Sequence, residues 1–174
     1  MTTKNLSFPS CTLSDLDTLL QIAMSTFVAA FERDNNPKDF QDYIGNAFNK
    51  ETLAAELANT DSLFHFAYDG DILVGYFKLN VGRAQTDVHD KNAMEIERIY
   101  VLGEHQGKQI GSQMLKQIIS LAREHQKEYL WLGVWEHNPK AIRFYQRHGF
   151  QKFGEHPYLI GSDEQTDWLL RLEL

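Results

Sequence analysis

Between Met94 and Ala122 the chain changes its periodicity once, at a glycine-bearing loop, and this narrows the possible folds sharply. Met94–Leu102 runs MEIERIYVL, dense in branched and aromatic residues, and predicts a strand. The hexapeptide Gln106-Gly107-Lys108-Gln109-Ile110-Gly111 ends that run. Beyond it Ile110, Met114, Leu115, Ile118, Ile119 and Ala122 fall on one stripe, the spacing of an amphipathic helix. A strand, a short loop and a helix in this order form a ready anion cradle. The first helical turn has unpaired N–H groups and a partial positive charge. Glycines let the backbone approach phosphate closely, and Lys108 adds a cation. An ordinary βα turn with no ligand has the same local pattern. Two phosphate loops are excluded. Gly103 to Lys108 is one residue short of a Walker A loop, with Gln109 where Ser or Thr belongs, and no G-x-G-x-x-G occurs.

The remaining chain sorts by the same criterion. Leu6 to Phe8 suggests a short first strand. Ser14 is placed as a helix N-cap, with Leu16, Leu19, Leu20, Ala23, Met24 and Phe27 following at helical spacing. Pro37 to Phe48 and Glu51 to Ala58 read as two further helices. Ser62–Tyr68 and Ile72–Asn80 alternate as strands, with Asp69-Gly70 as the expected hairpin turn. Gly82 to Asn92 is a looser stretch. Glu128–Val134 is a strand, and Asn138-Pro139 opens a helix that Gly149 closes. Phe150–Ile160 and Asp167–Leu174 form a closing pair of strands. The predicted order, β-α-α-α-β-β-β-α-β-α-β-β, describes one mixed α/β domain over residues 1–174.

Charge and cysteine usage remove several function classes. Lys plus Arg number 17 against 24 for Asp plus Glu, a formal charge of −7, the wrong balance for a nucleic-acid binder. A cationic small substrate suits it, although surplus acid for solubility is the commoner cause. Cys11 is the only cysteine, which leaves no intramolecular disulfide and no cysteine zinc cluster. The seven histidines show no ligand spacing, so no metal is expected. The start, MTTKNLSFPS, lacks the pattern of a signal peptide, and no run reaches the roughly 18 apolar residues of a membrane span. A cytoplasmic protein is the expectation.

Two motifs carry a family resemblance. The run IYVLGEHQGKQIGSQML resembles motif A of the GCN5-related N-acetyltransferases (GNAT), written Q/R-x-x-G-x-G/A. Gln106 fills its first position and Gly111 its last, while Gln109 stands where glycine is usual. NPKAIRFYQRHGF is similar to motif B of the same family, with Asn138, Ala141, Phe144, Tyr145, Gly149 and Phe150 in register. The two lie in order, about 30 residues apart. EIERIYV, WLGVWEHN and DEQTD further resemble the PaiA-like acetyltransferases, a bacterial group associated with N-acetylation of polyamines.

The resemblance implies a twisted mixed sheet of six to seven strands flanked by helices, with a V-shaped splay between the fourth and fifth strands. It implies acetyl-CoA as cosubstrate. The backbone of Ile99, Tyr100 and Val101 would pair with the pantetheine arm. Gln106 opens the cofactor-binding motif, the backbone amides of Gly107, Lys108, Gln109, Ile110, Gly111 and Ser112 would hold the pyrophosphate, and Asn138 would meet the pantetheine or thioester end. Tyr145 aligns with a tyrosine that many members use as general acid toward the departing thiolate; packing in the core is its alternative role.

An aliphatic amine with a pKa near ~10.4 must lose a proton before it attacks, which costs roughly 4–5 kcal/mol at pH 7. Glu95 and Glu97 alternate on one strand face, taken to be the face of Ile99 and Val101, with Arg98 opposite. Glu97 is the expected base, directly or through water, and Glu95 the reserve; structural salt bridges are the alternative. Glu32, Asp34, Asp39, Asp42, Asp163 and Glu164 could attract a polycation, and Trp131, Trp135 and Tyr158 could offer cation–π faces. The expected partners are a small-molecule amine, with a homodimer left open, and neither nucleic acid nor membrane. Other acceptors, such as an aminoglycoside, an amino acid or a protein N-terminus, keep the same chemistry; a non-catalytic acyl-CoA sensor is the rival class.

Overall fold

A computed structural model describes residues 5–174, so the first four residues of the MTTKNLSFPS start lie outside the described residues. The elements are β1 (Leu6–Ser7), α1 (Leu16–Phe31), α2 (Pro37–Ala47), α3 (Lys50–Ala58), β2 (Ser62–Asp69), β3 (Ile72–Asn80), β4 (Ala93–Val101), α4 (Ile110–Glu124), β5 (Tyr129–Trp135), α5 (Pro139–Arg147), β6 (Gln151–Ile160) and β7 (Asp163–Glu173). This is the predicted order. The strands form one sheet, β1-β2-β3-β4-β5-β7-β6, antiparallel except where β4 meets β5.

Local chemistry sets the element ends. Asn36 accepts from the backbone N–H of Lys38 and Asp39, with Pro37 at the first helical position of α2. Asn49 caps α3 through the Thr52 N–H at 2.8 Å. Ser14 is not the cap of α1. The chain first makes a 3-10 turn, Leu13–Asp15, in which the Asp15 carboxylate accepts from the Thr12 N–H at 2.8 Å. The first hairpin turns one residue later than predicted, because Asp69 still pairs with Ile72 and Gly70-Asp71 forms the loop. The last hairpin begins earlier. Ile160 pairs with Asp163 across Gly161-Ser162, so β7 extends through a polar stretch that carries no apolar alternation.

Two apolar layers sandwich the sheet. On one side Phe77, Leu79, Met94, Ile96, Leu130 and Leu132 pack against Met114, Leu115, Ile118 and Ile142 of α4 and α5. On the other, Phe64, Phe66, Tyr76 and Ile160 pack against Leu19, Ile22, Phe40, Ile44 and Leu53 of α1–α3. Such burial is the main favourable term in folding.

One irregularity positions the site. Lys78 pairs with Arg98 but Leu79 pairs with Ile96, so Glu97 is an extra residue, a β-bulge in β4. Strict alternation therefore fails. Met94, Ile96, Ile99 and Val101 belong to the α4 side, and Tyr100 to the other. The expectation that Glu95 and Glu97 share a face with Ile99 and Val101 is corrected, as is the placing of Arg98 opposite Glu97. The bulge puts both Glu97 and Arg98 on the α1–α3 side, where they form an ion pair at 3.8 Å and Arg98 lies 5.1 Å over the Phe48 ring.

Candidate active site

β4 and β5 pair only at Ala93 with Tyr129, Met94 with Leu130 and Glu95 with Trp131. Beyond those pairs the strands part, and a cleft of about 1040 Å³ opens between them. The splay predicted from the resemblance is present. Of the predicted site residues, Glu95, Glu97, Ile99, Tyr100, Val101, Gln106, Gly107, Gln109, Ile110, Gly111, Ser112, Asn138 and Tyr145 all line it. Lys108 does not. Its ammonium instead donates to the Glu104 carbonyl oxygen at 3.0 Å. A cation missed in the sequence, Lys140, lines the cleft in its place, 3.5 Å from the Gln106 side-chain oxygen.

The end of the cleft at α4 suits an anionic group. Gln109, the residue before the helix, carries no side-chain cap, so the first N–H groups of α4 have no partner from it. Gln109 sits at φ 61°, ψ 15°, the left-handed conformation that explains why glycine is usual there. Its side chain leaves the backbone geometry in place at a conformational cost. Gly107, at φ 76°, turns the loop just before it. The β4 edge is free of a strand partner past Glu95, and the Val101 carbonyl accepts from the Gln106 side chain at 3.1 Å. Asn138 caps α5 through the Ala141 N–H at 3.2 Å. Tyr145 is both core and cleft wall, and burial raises its phenol above the ordinary value. A phenol so placed donates a hydrogen bond more readily than it gives up its proton. These features fit a CoA-type ligand: an open helix N-terminus for phosphate and a free strand edge for an amide-bearing arm.

The acidic wall lies on the α1–α3 side. Glu95 is buried and fully bonded, accepting from the Asn80 amide and the Thr86 N–H, each at 2.9 Å, and from the Thr86 hydroxyl. Burial raises its pKa against the pull of those bonds. Gln85 anchors the loop that carries Thr86, accepting from the Trp131 indole at 2.8 Å and donating to the Asp90 carbonyl. Glu97 is surrounded differently. It pairs with Lys78 and Arg98 and accepts from Asn80 at 2.8 Å, while Glu56 holds the same two cations at 3.1 and 3.2 Å. Burial opposes its charge, but Lys78, Arg98 and Asn80 together outweigh burial and hold its pKa low. A carboxylate already compensated by two cations has little affinity for a further proton, which bears on the expectation of Glu97 as base.

None of Glu32, Asp34, Asp39, Asp42, Asp163 and Glu164 lines the cleft, whereas Trp131, Trp135 and Tyr158 all do. Asp39 is engaged elsewhere, accepting from the Ser162 hydroxyl at 3.2 Å. Among the described residues no group of three or more His, Cys, Asp or Glu could hold a metal. No helix among them is long and apolar enough to cross a membrane.

The splayed sheet and the open helix end together define an acyl-CoA-binding fold, and comparison with known proteins agrees. Residues 16–150 match the acetyltransferase (GNAT) family. The chain is 40% identical over 161 residues to an uncharacterized N-acetyltransferase in the pepI 3' region of Lactobacillus delbrueckii subsp. lactis, covering 92% of each chain. It is 35% identical over 89 residues to the spermine/spermidine N(1)-acetyltransferase of Bacillus subtilis, covering 51% of this chain and 58% of that one. Its fold is similar to that of the PaiA N-acetyltransferase from Thermoplasma acidophilum in complex with coenzyme A, with TM-score 0.77, 20% identity and coverage of 98% and 99%. The chain belongs to the GNAT family. It is an N-acetyltransferase that uses acetyl-CoA.

Proposed function

We propose that the acceptor is a polyamine such as spermidine or spermine, acetylated on a primary amine by direct attack. The observation that carries this reading is the cleft wall itself, where carboxylates and the aromatic faces of Trp135 and Tyr158 border one space. The partial match to the Bacillus subtilis enzyme supports the same choice.

Bound acetyl-CoA supplies an activated acetyl thioester. Backbone N–H groups from Gly107 to Ser112 hold its pyrophosphate, with Lys140 as the neighbouring cation. The backbone of Ile99, Tyr100 and Val101 aligns the pantetheine arm, and Asn138 orients the thioester end. Tyr145 donates a hydrogen bond to the sulfur as negative charge develops there. Glu95, held by the neutral Asn80 and Thr86, supplies negative charge that favours an ammonium group in the cleft, whereas Glu97 is offset by Lys78 and Arg98. Full proton transfer from an ammonium near ~10.4 to an ordinary carboxyl near ~4.3 is uphill by roughly 8 kcal/mol. Glu97, held below its ordinary value by Lys78 and Arg98, is further from that match than Glu95, which burial raises.

The test is CoA release by the purified protein with acetyl-CoA and a panel of spermidine, spermine, an aminoglycoside and a lysine peptide. The expected result is highest kcat/KM on the polyamines, and a loss of about 100- to 1000-fold in Tyr145→Phe, the scale of removing one hydrogen-bond donor to developing charge. Preferential turnover of another amine overturns the polyamine acceptor and leaves the acetyl transfer intact. Tight acetyl-CoA binding without turnover of any amine overturns the catalytic reading.

A further inference from the structure

Among the carboxylates of the cleft wall one is poorly compensated. Glu95 and Glu97 have hydrogen-bonding or ionic partners, and Asp87 holds His156 at 2.9 Å. Asp167 differs: its Oδ1 is buried and has no hydrogen-bond partner. Its register partner in β5 is Trp135, whose indole Nε1 is likewise buried and unpartnered. Both residues line the cleft. An unmatched acceptor beside an unmatched donor in one binding cleft is a costly arrangement unless a ligand completes it.

The placing is specific. Asp167 lies over Gly133 of β5, and a Cβ on that glycine would come within 3.0 Å of Oδ2. Gly133 faces the same side of the sheet as Trp131, whose parallel partner is Glu95. Asp167 therefore faces the acidic side of the cleft, across the splay from Glu95 and Glu97. Tyr43, Glu97 and Asp167 all line the one cleft.

We propose that Asp167 binds the acceptor's ammonium group and takes the proton that must leave before attack. This rests on the amine-acceptor reading above and adds the residue that contacts the amine. An N–H proton of the bound ammonium passes to the Asp167 carboxylate. The freed lone pair forms the N–C bond at the thioester carbonyl as the C–S bond breaks. The extra proton on the new amide nitrogen goes to the thiolate, and Asp167 returns its proton to solvent. Burial pushes the Asp167 carboxyl up to about 6, with His156 opposing, which narrows the mismatch with an amine relative to Glu97. The groups around Asp167 are His156 and Tyr158 of β6, Tyr43 of α2 and Trp135 of β5.

The decisive experiment is calorimetric titration of spermidine into CoA-saturated protein, which cannot turn over. Asp167→Asn is expected to weaken spermidine binding at least about 30-fold, on the scale of losing one partner of a buried charge pair. The affinity for CoA should stay within about twofold of wild type, and the melting temperature should not fall. In the wild-type protein spermidine affinity should decline as pH falls through about 6, a limb that His156→Gln retains. Equal spermidine affinity in wild type and Asp167→Asn overturns the proposal. So does no spermidine binding by wild type, or an affinity that is flat across that pH range. Turnover reports separately: spermidine bound through Asp167 without acetylation would sink the proposed function and the proton-acceptor role, and leave only the ammonium-binding site standing.

Discussion

Glu97 and Asp167 are both carboxylates of the cleft wall, and the folded chain treats them in opposite ways. Glu97 sits between Lys78 and Arg98, so its folded pKa is depressed. It contributes stability that is present above its unfolded pKa and is lost as pH falls through the folded value. Asp167 has a folded pKa raised to about 6. Its ionised form destabilises the native state above that pH, and the penalty fades as pH falls toward the unfolded value near ~3.9. Two substitutions of similar size should therefore shift stability in opposite directions. At about pH 8, Glu97→Gln is expected to lower the unfolding free energy by about 3 kcal/mol, since it strands a buried lysine and arginine on Glu56 alone. Asp167→Asn is expected to raise it by about 1–3 kcal/mol. Denaturant unfolding of the two variants checks both signs. A loss of activity in Glu97→Gln has to be judged against its lowered stability, whereas a loss in Asp167→Asn comes without that confusion.

At the scale of elements, the junction of loop and α4 shows a sequence signal that was legible and one that was not. The apolar stripe from Ile110 to Ala122 located the helix, and Gln106 and Gly111 placed the motif. The direction of Lys108 was not legible, because a long side chain beside a helix start can reach either neighbour. The left-handed Gln109 is strained relative to glycine by roughly 1 kcal/mol. Gln109→Gly is accordingly expected to raise the melting temperature by about 2–4 °C while leaving acetyl-CoA affinity unchanged or tighter. A lower melting temperature would mean that the Gln109 side chain contributes packing that outweighs its backbone cost. The bulge in β4 was invisible for a different reason: alternation assumes one residue per partner, and an inserted residue reverses the faces beyond it. The setting of Asp167 is not legible in the sequence because it arises from pairing with Trp135 and from lying over Gly133, contacts that bring distant parts of the chain together. What is legible in the sequence is set by local pattern; the faces of β4 and the setting of Asp167 depend on strand register, and Lys108 on a side-chain direction that pattern does not fix.

Across the whole molecule, strand order follows the chain from β1 to β5 and then swaps the last two. The helices divide accordingly, α1–α3 on one face and α4 and α5 on the other. The joint between β4 and β5 is parallel and short, ending at Glu95 and Trp131. Mechanically the sheet resembles a tuning fork, joined at the stem, with β4 backed by β3 and β5 backed by β7 as two tines that share no pairs beyond it. A ligand lying between the tines damps them, so saturation with substrate and rigidity of the fold become one equilibrium. Amide exchange should record this as a gradient. Adding CoA at about 100 times its Kd should slow exchange by up to about 100-fold in β4 past Glu95 and β5 past Trp131, and scarcely at all at the stem. Uniform slowing along both strands would instead describe a sheet that stiffens as a single plate.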